Sequence, residues 1–245
     1  MSQITEKRPL GHKSYGHIPH LSGSRLGPGD HKIEPGMESI ATVKTRDRHD
    51  LVIVQEKLDG SNCAVAKING QIIALTRAGY TALSSPYSQH HYFDTWVRQN
   101  KDRFDAFLSE GERVVGEWLL QAHGTRYNLY HEPFVVFDIM KDGHKRLTVD
   151  AMQARVAPYG FVMPNLLHCG PAISIERVIN LLGLYSGHGA IDTIEGAVWR
   201  IERKGEVDFL CKYVRQDKID GYYLESQNGT GEPVYNISPD ELLNI

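Results

Sequence analysis

The 245-residue chain predicts an α+β fold built on antiparallel sheet. Three observations carry the prediction. Strand-like apolar runs follow one another through short turns, as where "CAVAKI" and "QIIALT" meet across Asn69-Gly70, a dipeptide that favours a hairpin. Helical periodicity is confined to a few interposed stretches. The strand–helix–strand alternation of a doubly wound parallel sheet is missing.

Taken in order, residues 1–45 read as an irregular N-terminal segment. "GHKSYGHIPHLSGSRLGPGDHKIEPG" is rich in Gly, Pro, His and Ser and has little periodicity. The first fifty residues hold eight Lys/Arg, six Asp/Glu and five of the twelve histidines, so this end is mildly basic. From Leu51 the pattern changes. "LVIVQEK" is a strand, and the Asn69-Gly70 hairpin follows. Residues 88–108 place Phe93, Trp96, Val97, Phe104, Phe107 and Leu108 at helical spacing. "RVVGEWL" and "PFVVFDIM" return to strand. Thr148 or Asp150 can cap a further helix, and "SIERVINLLGLY" gives another. "EGAVWRIE" and "DFLCKYV" close the series as a hairpin pair. The chain divides into residues 1–45, a body of 46–222 and a short tail of 223–245.

Composition narrows the function classes. A 41% hydrophobic content suits a globular protein with a substantial core. No apolar run is long enough to span a membrane, and the start does not read as a signal peptide, so no membrane partner is expected. Cys63, Cys169 and Cys211 are scattered and form no C-x-x-C pair, which points to a reducing, cytoplasmic setting and away from a structural zinc site. A net charge of −3 does not announce a nucleic-acid binder, but a local basic patch can still grip phosphates.

The stretch "VQEKLDGSNCAV", residues 54–65, puts a lysine at a strand end, just before an Asp-Gly turn. An ordinary reversal with a solvated lysine is one reading. The other is a nucleophile, because a lysine held near a cleft can attack once it loses its proton. Strand alternation would set Lys57 and Asp59 on the same side. Arg77, Glu117, Phe137, Glu195 and Lys212 lie at strand ends in separate segments. Each alone reads as a rim charge, a strand-end carboxylate or a core aromatic. His12, His17, His20 and His31 match no common metal-site spacing. The segment "QAHGTRYNLYH", with His123, Arg126 and Tyr127, reads as either a phosphate-contacting loop or a solvated connection.

In this order, the residues resemble the covalent nucleotidyltransferases: RNA ligases, DNA ligases and mRNA capping enzymes. Lys57-Leu58-Asp59-Gly60 matches their K-x-D-G motif. The longer "EKLDGSN", with Glu56 and Asn62, is similar to the nick-sealing and RNA-editing ligase branch. Arg77, Glu117 in "GEW", Phe137 in "VFDI", Glu195-Gly196 in "EGAV" and Lys212 match the downstream motifs, so the resemblance spans residues 51–215. One departure concerns the last motif, which usually carries two basic residues one apart. Here Leu210 and Val214 flank Lys212 at that spacing, and alternation points Arg215 to the other face. Few residues follow Lys212, so no appended oligonucleotide-binding domain is expected, which leaves room for a partner protein to supply one.

The resemblance implies an adenylation-domain fold over 46–222, with helices flanking mostly antiparallel sheets. It implies an ATP-dependent RNA ligase joining 3′-hydroxyl and 5′-phosphate ends of RNA or of a nicked nucleic acid. Lys57 would carry the AMP. Asp59 would serve ribose or hydrated metal. Lys212 would face the α-phosphate. Glu56 would accept from the adenine amino group, and Phe137 and Val198 would enclose the base. Asn62 would complete the nucleotide site, and Arg77 would approach the ribose or the incoming 5′-phosphate. Mg²⁺ or Mn²⁺ would be held through water by Asp59, Glu117 and Glu195. Positive neighbours, the metal and Lys212, would favour the neutral amine of Lys57. A small DNA ligase is the alternative, followed by a capping-type guanylyltransferase and a non-catalytic nucleic-acid-binding module.

Overall fold

The computed structural model describes residues 7–183 and 187–242. A short helix, α1 (Pro35–Thr42), precedes β1 (Asp50–Lys57), β2 (Ser61–Ile68) and β3 (Gln71–Thr76). Helices α2 (Ser88–Gln99) and α3 (Lys101–Phe107) lead to β4 (Arg113–Trp118), β5 (Phe134–Lys141) and β6 (Lys145–Arg146). Then come α4 (Val149–Val156), β7 (Leu166–Gly170), α5 (Ile175–Leu182), β8 (Gly196–Arg203), β9 (Glu206–Val214) and α6 (Pro239–Leu242). The strands form two sheets, ordered β7-β1-β8-β9 and β3-β2-β4-β5-β6, and the paired strands are antiparallel. The α+β expectation and each predicted strand are met.

The hairpin between β2 and β3 turns where expected, with Asn69 at φ 51° and Gly70 at φ 72°, the left-handed pair that matches strand twist. The 88–108 helical stretch is broken at Asn100. Its side-chain Nδ2 donates to the Trp96 carbonyl at 2.9 Å, closing the end of α2, and its Oδ1 accepts from the Arg103 guanidinium at 2.7 Å, which ties it to α3. The edge strand β7 and the two-residue β6 carry no periodic signal, and neither was read from the sequence. The irregular N-terminal segment contains α1, started by Pro35 in the first turn. Leu184 and Tyr185, at the end of "SIERVINLLGLY", lie outside the described residues.

Alternation divides the strands between two cores and a cleft. On the five-stranded sheet, Cys63, Val65, Val114, Trp118 and Val136 pack with Phe93, Trp96 and Phe104 of α2 and α3. On the four-stranded sheet, Val52, Trp199, Ile201 and Cys211 pack with Val178 and Leu182 of α5 and with Leu21, Ile33 and Ala41. On the other face of the five-stranded sheet, Ala64, Leu75, Val115 and Met140 pack with Tyr15, and the rest of that face meets the four-stranded sheet across a shared cavity. A buried network ties the sheets together there. Asp138 accepts from Arg200 at 2.5 Å, from Arg146 at 3.0 Å and from the Tyr15 hydroxyl at 2.8 Å. Such a carboxylate is costly to bury and holds only because its lone pairs are filled.

Both flanking segments are tied to the body. Ser14 and Tyr15 donate to the Arg77 carbonyl, and Leu21 donates to the Lys212 carbonyl. At the other end, Ala122 and Asn236 donate to the carbonyls of Val234 and Leu120, and Leu242 is fully buried. No helix of the described residues is long and apolar enough to cross a membrane.

Candidate active site

A cavity of about 770 Å³ opens between the sheets. Eight of the ten residues singled out from the sequence line it: Glu56, Lys57, Asn62, Arg77, Glu117, Phe137, Val198 and Lys212. The fold explains the convergence. Lys57 ends β1 and pairs with Gly196 at the start of β8, which sets Glu195 beside it. Asn62 on β2 pairs with Glu117 on β4. Val198 on β8 pairs with Lys212 on β9. The turn between β1 and β2 requires Gly60, because a Cβ there would lie 2.6 Å from the Trp118 carbonyl oxygen and 2.9 Å from Leu119 Cδ2.

Lys57 Nζ lies 2.5 Å from Glu195 Oε2 and also donates to the Leu58 carbonyl at 3.3 Å. Burial opposes the charge on Lys57, but Glu195, Glu117 and Asp59 outweigh it and hold the ammonium above the usual lysine range. Among the described residues, the carboxylates outweigh Lys212 at Lys57. Glu195 touches the ammonium directly, and Glu117 and Asp59 add to its pull. Burial, together with the charges of other carboxylates, raises Glu117 and Glu195 to about 7, with Lys57 pulling both the other way. Glu117 Oε1 also accepts the Gly60 N–H at 3.1 Å.

Asp59 sits differently from its sequence reading. Its Oδ2 accepts the Gly124 N–H at 2.9 Å and lies 3.1 Å from Lys218 Nζ, while its own N–H donates to the Tyr127 hydroxyl at 3.1 Å. Its carboxylate is thus committed to the loop after β4 and is not among the groups that line the cavity. Of that loop, His123 lines the cavity, Tyr127 is buried, and Arg126 pairs with Asp192 at 2.9 Å.

At the apolar end, Phe137 and Val198 come from different sheets, and the Tyr15 ring packs edge-on against Phe137 at 5.3 Å. Glu56 is only 2% exposed, and neither of its carboxylate oxygens makes a hydrogen bond of good geometry among the described residues; burial pushes it up to about 7, with the nearby Gly187 N–H pulling the other way. Asn62 Oδ1 is also buried without a partner among the described residues. Orphaned acceptors in an open cavity are explained by a ligand that brings donors. Arg77 donates from Nη2 to the Gly16 carbonyl at 3.0 Å.

Lys212 is held below the usual lysine range, first by burial and then by repulsion from Lys57, with Asp30 opposing. Leu210 lines the cavity two residues earlier, so the second basic position of the last motif is apolar. Arg200, opposite Leu210 on β8, also lines the cavity, but its guanidinium is bound to Asp138 and to the Phe137 carbonyl at 2.9 Å. Arg215 pairs with Asp217 at 3.2 Å. Sequence reasoning missed Lys218 as a neighbour of this site and did not single out Asp30 and His20 within the N-terminal segment. Each arrives on a loop, and no spacing rule links it to the strand it meets.

A family model described as RNA ligase matches residues 50–214. No curated protein sequence matches the chain. An archaeal ATP-dependent RNA ligase aligns with a TM-score of 0.53 at 22% identity, over 82% of this chain and 48% of that chain. A Naegleria gruberi RNA ligase mutant with ATP and Mn gives a TM-score of 0.54 at 17% identity, over 89% of this chain and 63% of that chain. The chain thus spans about half the length of the archaeal structure, and at these identities the likeness is one of fold.

Proposed function

From its membership of the RNA ligase family, to which the chain belongs over residues 50–214, we propose that it is an ATP-dependent RNA ligase that works through a lysyl-AMP on Lys57. The observation that carries this reading is a cavity lined by Lys57, whose ammonium is paired with Glu195, and by Glu56 and Asn62, whose buried acceptor oxygens have no hydrogen-bond partner among the described residues. In the first step, Lys57 Nζ attacks the α-phosphorus of ATP. A nitrogen–phosphorus bond forms and pyrophosphate leaves. The AMP then passes to the 5′-phosphate of a nucleic-acid end. Attack by a 3′-hydroxyl forms the phosphodiester and releases AMP.

Each side chain has a job in this scheme. Glu56 Oε1 or Oε2 accepts from the adenine amino group, which supplies the donor it lacks. Phe137 and Val198 enclose the base, and Asn62 offers Oδ1 to the nucleoside. Lys212 meets the α-phosphate as a point charge. Arg77, at the cavity rim, meets the ribose or the incoming 5′-phosphate. Glu195 Oε2, at 2.5 Å, is placed to take the proton that Lys57 must lose. Asp59 acts at one remove, holding the 123–125 loop through Gly124 and Lys218.

Lys57 is flanked by Glu195 and Glu117, with Asp59 behind them held by Lys218, so the carboxylates outnumber the two ammonium groups here, a balance that suits a divalent cation. Glu117 and Glu195 would hold Mg²⁺ or Mn²⁺ through water, with Asp59 behind them. When bound, the ion supplies positive charge to the phosphates and to the amine. Residues 1–45 contribute to substrate binding at the mouth, where Tyr15, Gly16 and Ile18 already line the cavity. The substrate is RNA with 3′-hydroxyl and 5′-phosphate ends, and the cytoplasm suits its free cysteines. Sealing assays on matched RNA, DNA and hybrid nicks test the reading. Preferred joining of RNA-containing nicks supports it, and joining of DNA nicks alone returns the DNA-ligase alternative.

A further inference from the structure

The family match begins at residue 50, yet residues 19–33 reach the strand that carries Lys212. The contact is a strand-like ladder. Lys212 N–H donates to the Pro19 carbonyl at 3.0 Å, Leu21 N–H donates to the Lys212 carbonyl at 2.8 Å, and Arg25 N–H donates to the Val214 carbonyl at 3.0 Å. Apolar packing is supplied by Leu21 and Ile33, both buried against the four-stranded sheet. Packing therefore does not account for the polar chain that runs beside them.

That chain runs by hydrogen bonds as far as His20 and by close charge contacts beyond it, because His20 Nε2 lies outside hydrogen-bond geometry to the described residues. Val214 N–H donates to Ser24 Oγ at 2.9 Å, and Ser24 Oγ lies 2.7 Å from His20 Nδ1. His20 is 1% exposed, and burial lowers its affinity for a second proton, so the ring is neutral. With Nδ1 accepting the Ser24 hydroxyl proton, the ring hydrogen sits on Nε2, a tautomer assigned from its partners. Nε2 stands 3.1 Å from Asp30 Oδ2, which also accepts the Gly27 N–H at 2.9 Å. The other oxygen, Oδ1, is left facing Lys212 Nζ at 3.8 Å.

We infer that Ser24, His20 and Asp30 form a positioning relay for Lys212, which fixes its ammonium toward the cavity. The inference rests on the proposed role of Lys212 at the α-phosphate. The relay has a clear purpose in this chain. Leu210 leaves Lys212 without a basic neighbour on its own strand. The other charges that bear on it are Lys57, Glu195 and Arg77, and both cations push its proton away. Asp30 supplies the opposing charge, and the buried imidazole sets where that charge stands. None of the three residues touches the nucleotide in this scheme, so they act through Lys212.

The test uses the full chain and isosteric variants. Gln at position 20 keeps a donor near Nε2, whereas Asn keeps only the Ser24 side. His20→Asn and Asp30→Asn should each slow ATP-derived labelling of Lys57 at saturating ATP by about tenfold, with half-saturating ATP changed less than about threefold, because the contact is strengthened in the transition state. His20→Gln should recover most of the rate. In a Lys212→Met background, His20→Asn should add nothing. Rates equal to wild type in both Asn variants would overturn the relay, and so would equal losses in His20→Asn and His20→Gln with the fold retained. If His20→Asn does not fold, Asp30→Asn decides, since Asn still accepts the Gly27 N–H. Full labelling of Lys57 in Lys212→Met would instead sink the role of Lys212 itself.

Discussion

Replacing Glu195 by Gln should make Lys57 a better free nucleophile and a worse catalyst. The substitution keeps the shape and removes the negative charge that lies 2.5 Å from Nζ. Two unit charges about 4 Å apart at an effective dielectric of about 20 interact by about 4 kcal/mol. Glu117 and Asp59 still pull on the ammonium, and the Lys57 side chain is 22% exposed, so only part of that is lost. We expect about 1.4–2.7 kcal/mol, or about one to two pKa units downward. The assay is a brief pulse of an isotopic acylating reagent without ATP or metal, over a pH series, with peptide mass mapping of Lys57. Below both pKa values, its modification rate should rise about ten- to a hundredfold, while Lys67 stays unchanged. Labelling by ATP should fall, because the proton acceptor and its share of the metal waters are gone. An unchanged or upward-shifted profile would refute the claim that Glu195 governs the charge of Lys57.

Glu56, raised to about 7 by burial, should make half-saturating ATP climb as pH falls from 8 to 6, because the ionised form is the stronger acceptor for an amino group; Glu56→Gln should flatten that dependence, and a wild-type KM constant over this range would remove Glu56 from the base site. The same raised value predicts that wild type loses stability relative to Glu56→Gln as pH rises from 4.5 through 7, since the stabilised protonated form is present in full only below 4.5; urea unfolding at the two ends of the window checks the sign. Gly60→Ala, which drives a Cβ to 2.6 Å from the Trp118 carbonyl, should cost about 1–3 kcal/mol in urea unfolding and slow Lys57 labelling, and wild-type values for both would mean that the turn relaxes freely. Arg25→Ala with Lys32→Ala should leave labelling intact but flatten the salt dependence of nicked-RNA binding by about 1.5 in log–log slope if both reach phosphates; Arg25 already pairs with Asp220 at 2.9 Å, so an unchanged slope would return the segment to a packing role.

The strands and their order were legible because period-two alternation and the Asn69-Gly70 turn are local signals. Lys57, Glu117, Phe137, Val198 and Lys212 were legible because they stand on those strands, whose pairing brings them to one cleft. What was not legible depends on which side chains meet, whether one turn away or across the chain. The break at Asn100 depends on a side chain turning back on Trp96 and Arg103. The commitment of Asp59 depends on Lys218, 159 positions along the sequence, folding back under the Gly124 loop. The charge state of Lys57 depends on the pairing of β1 with β8, which delivers Glu195 to its ammonium. In the N-terminal segment, Gly, Pro and His content gave no period, yet His20 joins the Lys212 strand through backbone bonds that any sequence without proline at those donors can make.

The central claim is that Lys57 carries the nucleotide. The measurement is incubation of the full chain with α-labelled ATP and a divalent metal, followed by acid treatment and peptide mapping. One acid-labile label is expected, on Lys57, absent in Lys57→Ala and retained in Lys67→Ala. A label on another lysine, a label from GTP but not ATP, or a folded protein that takes up no covalent label would contradict it.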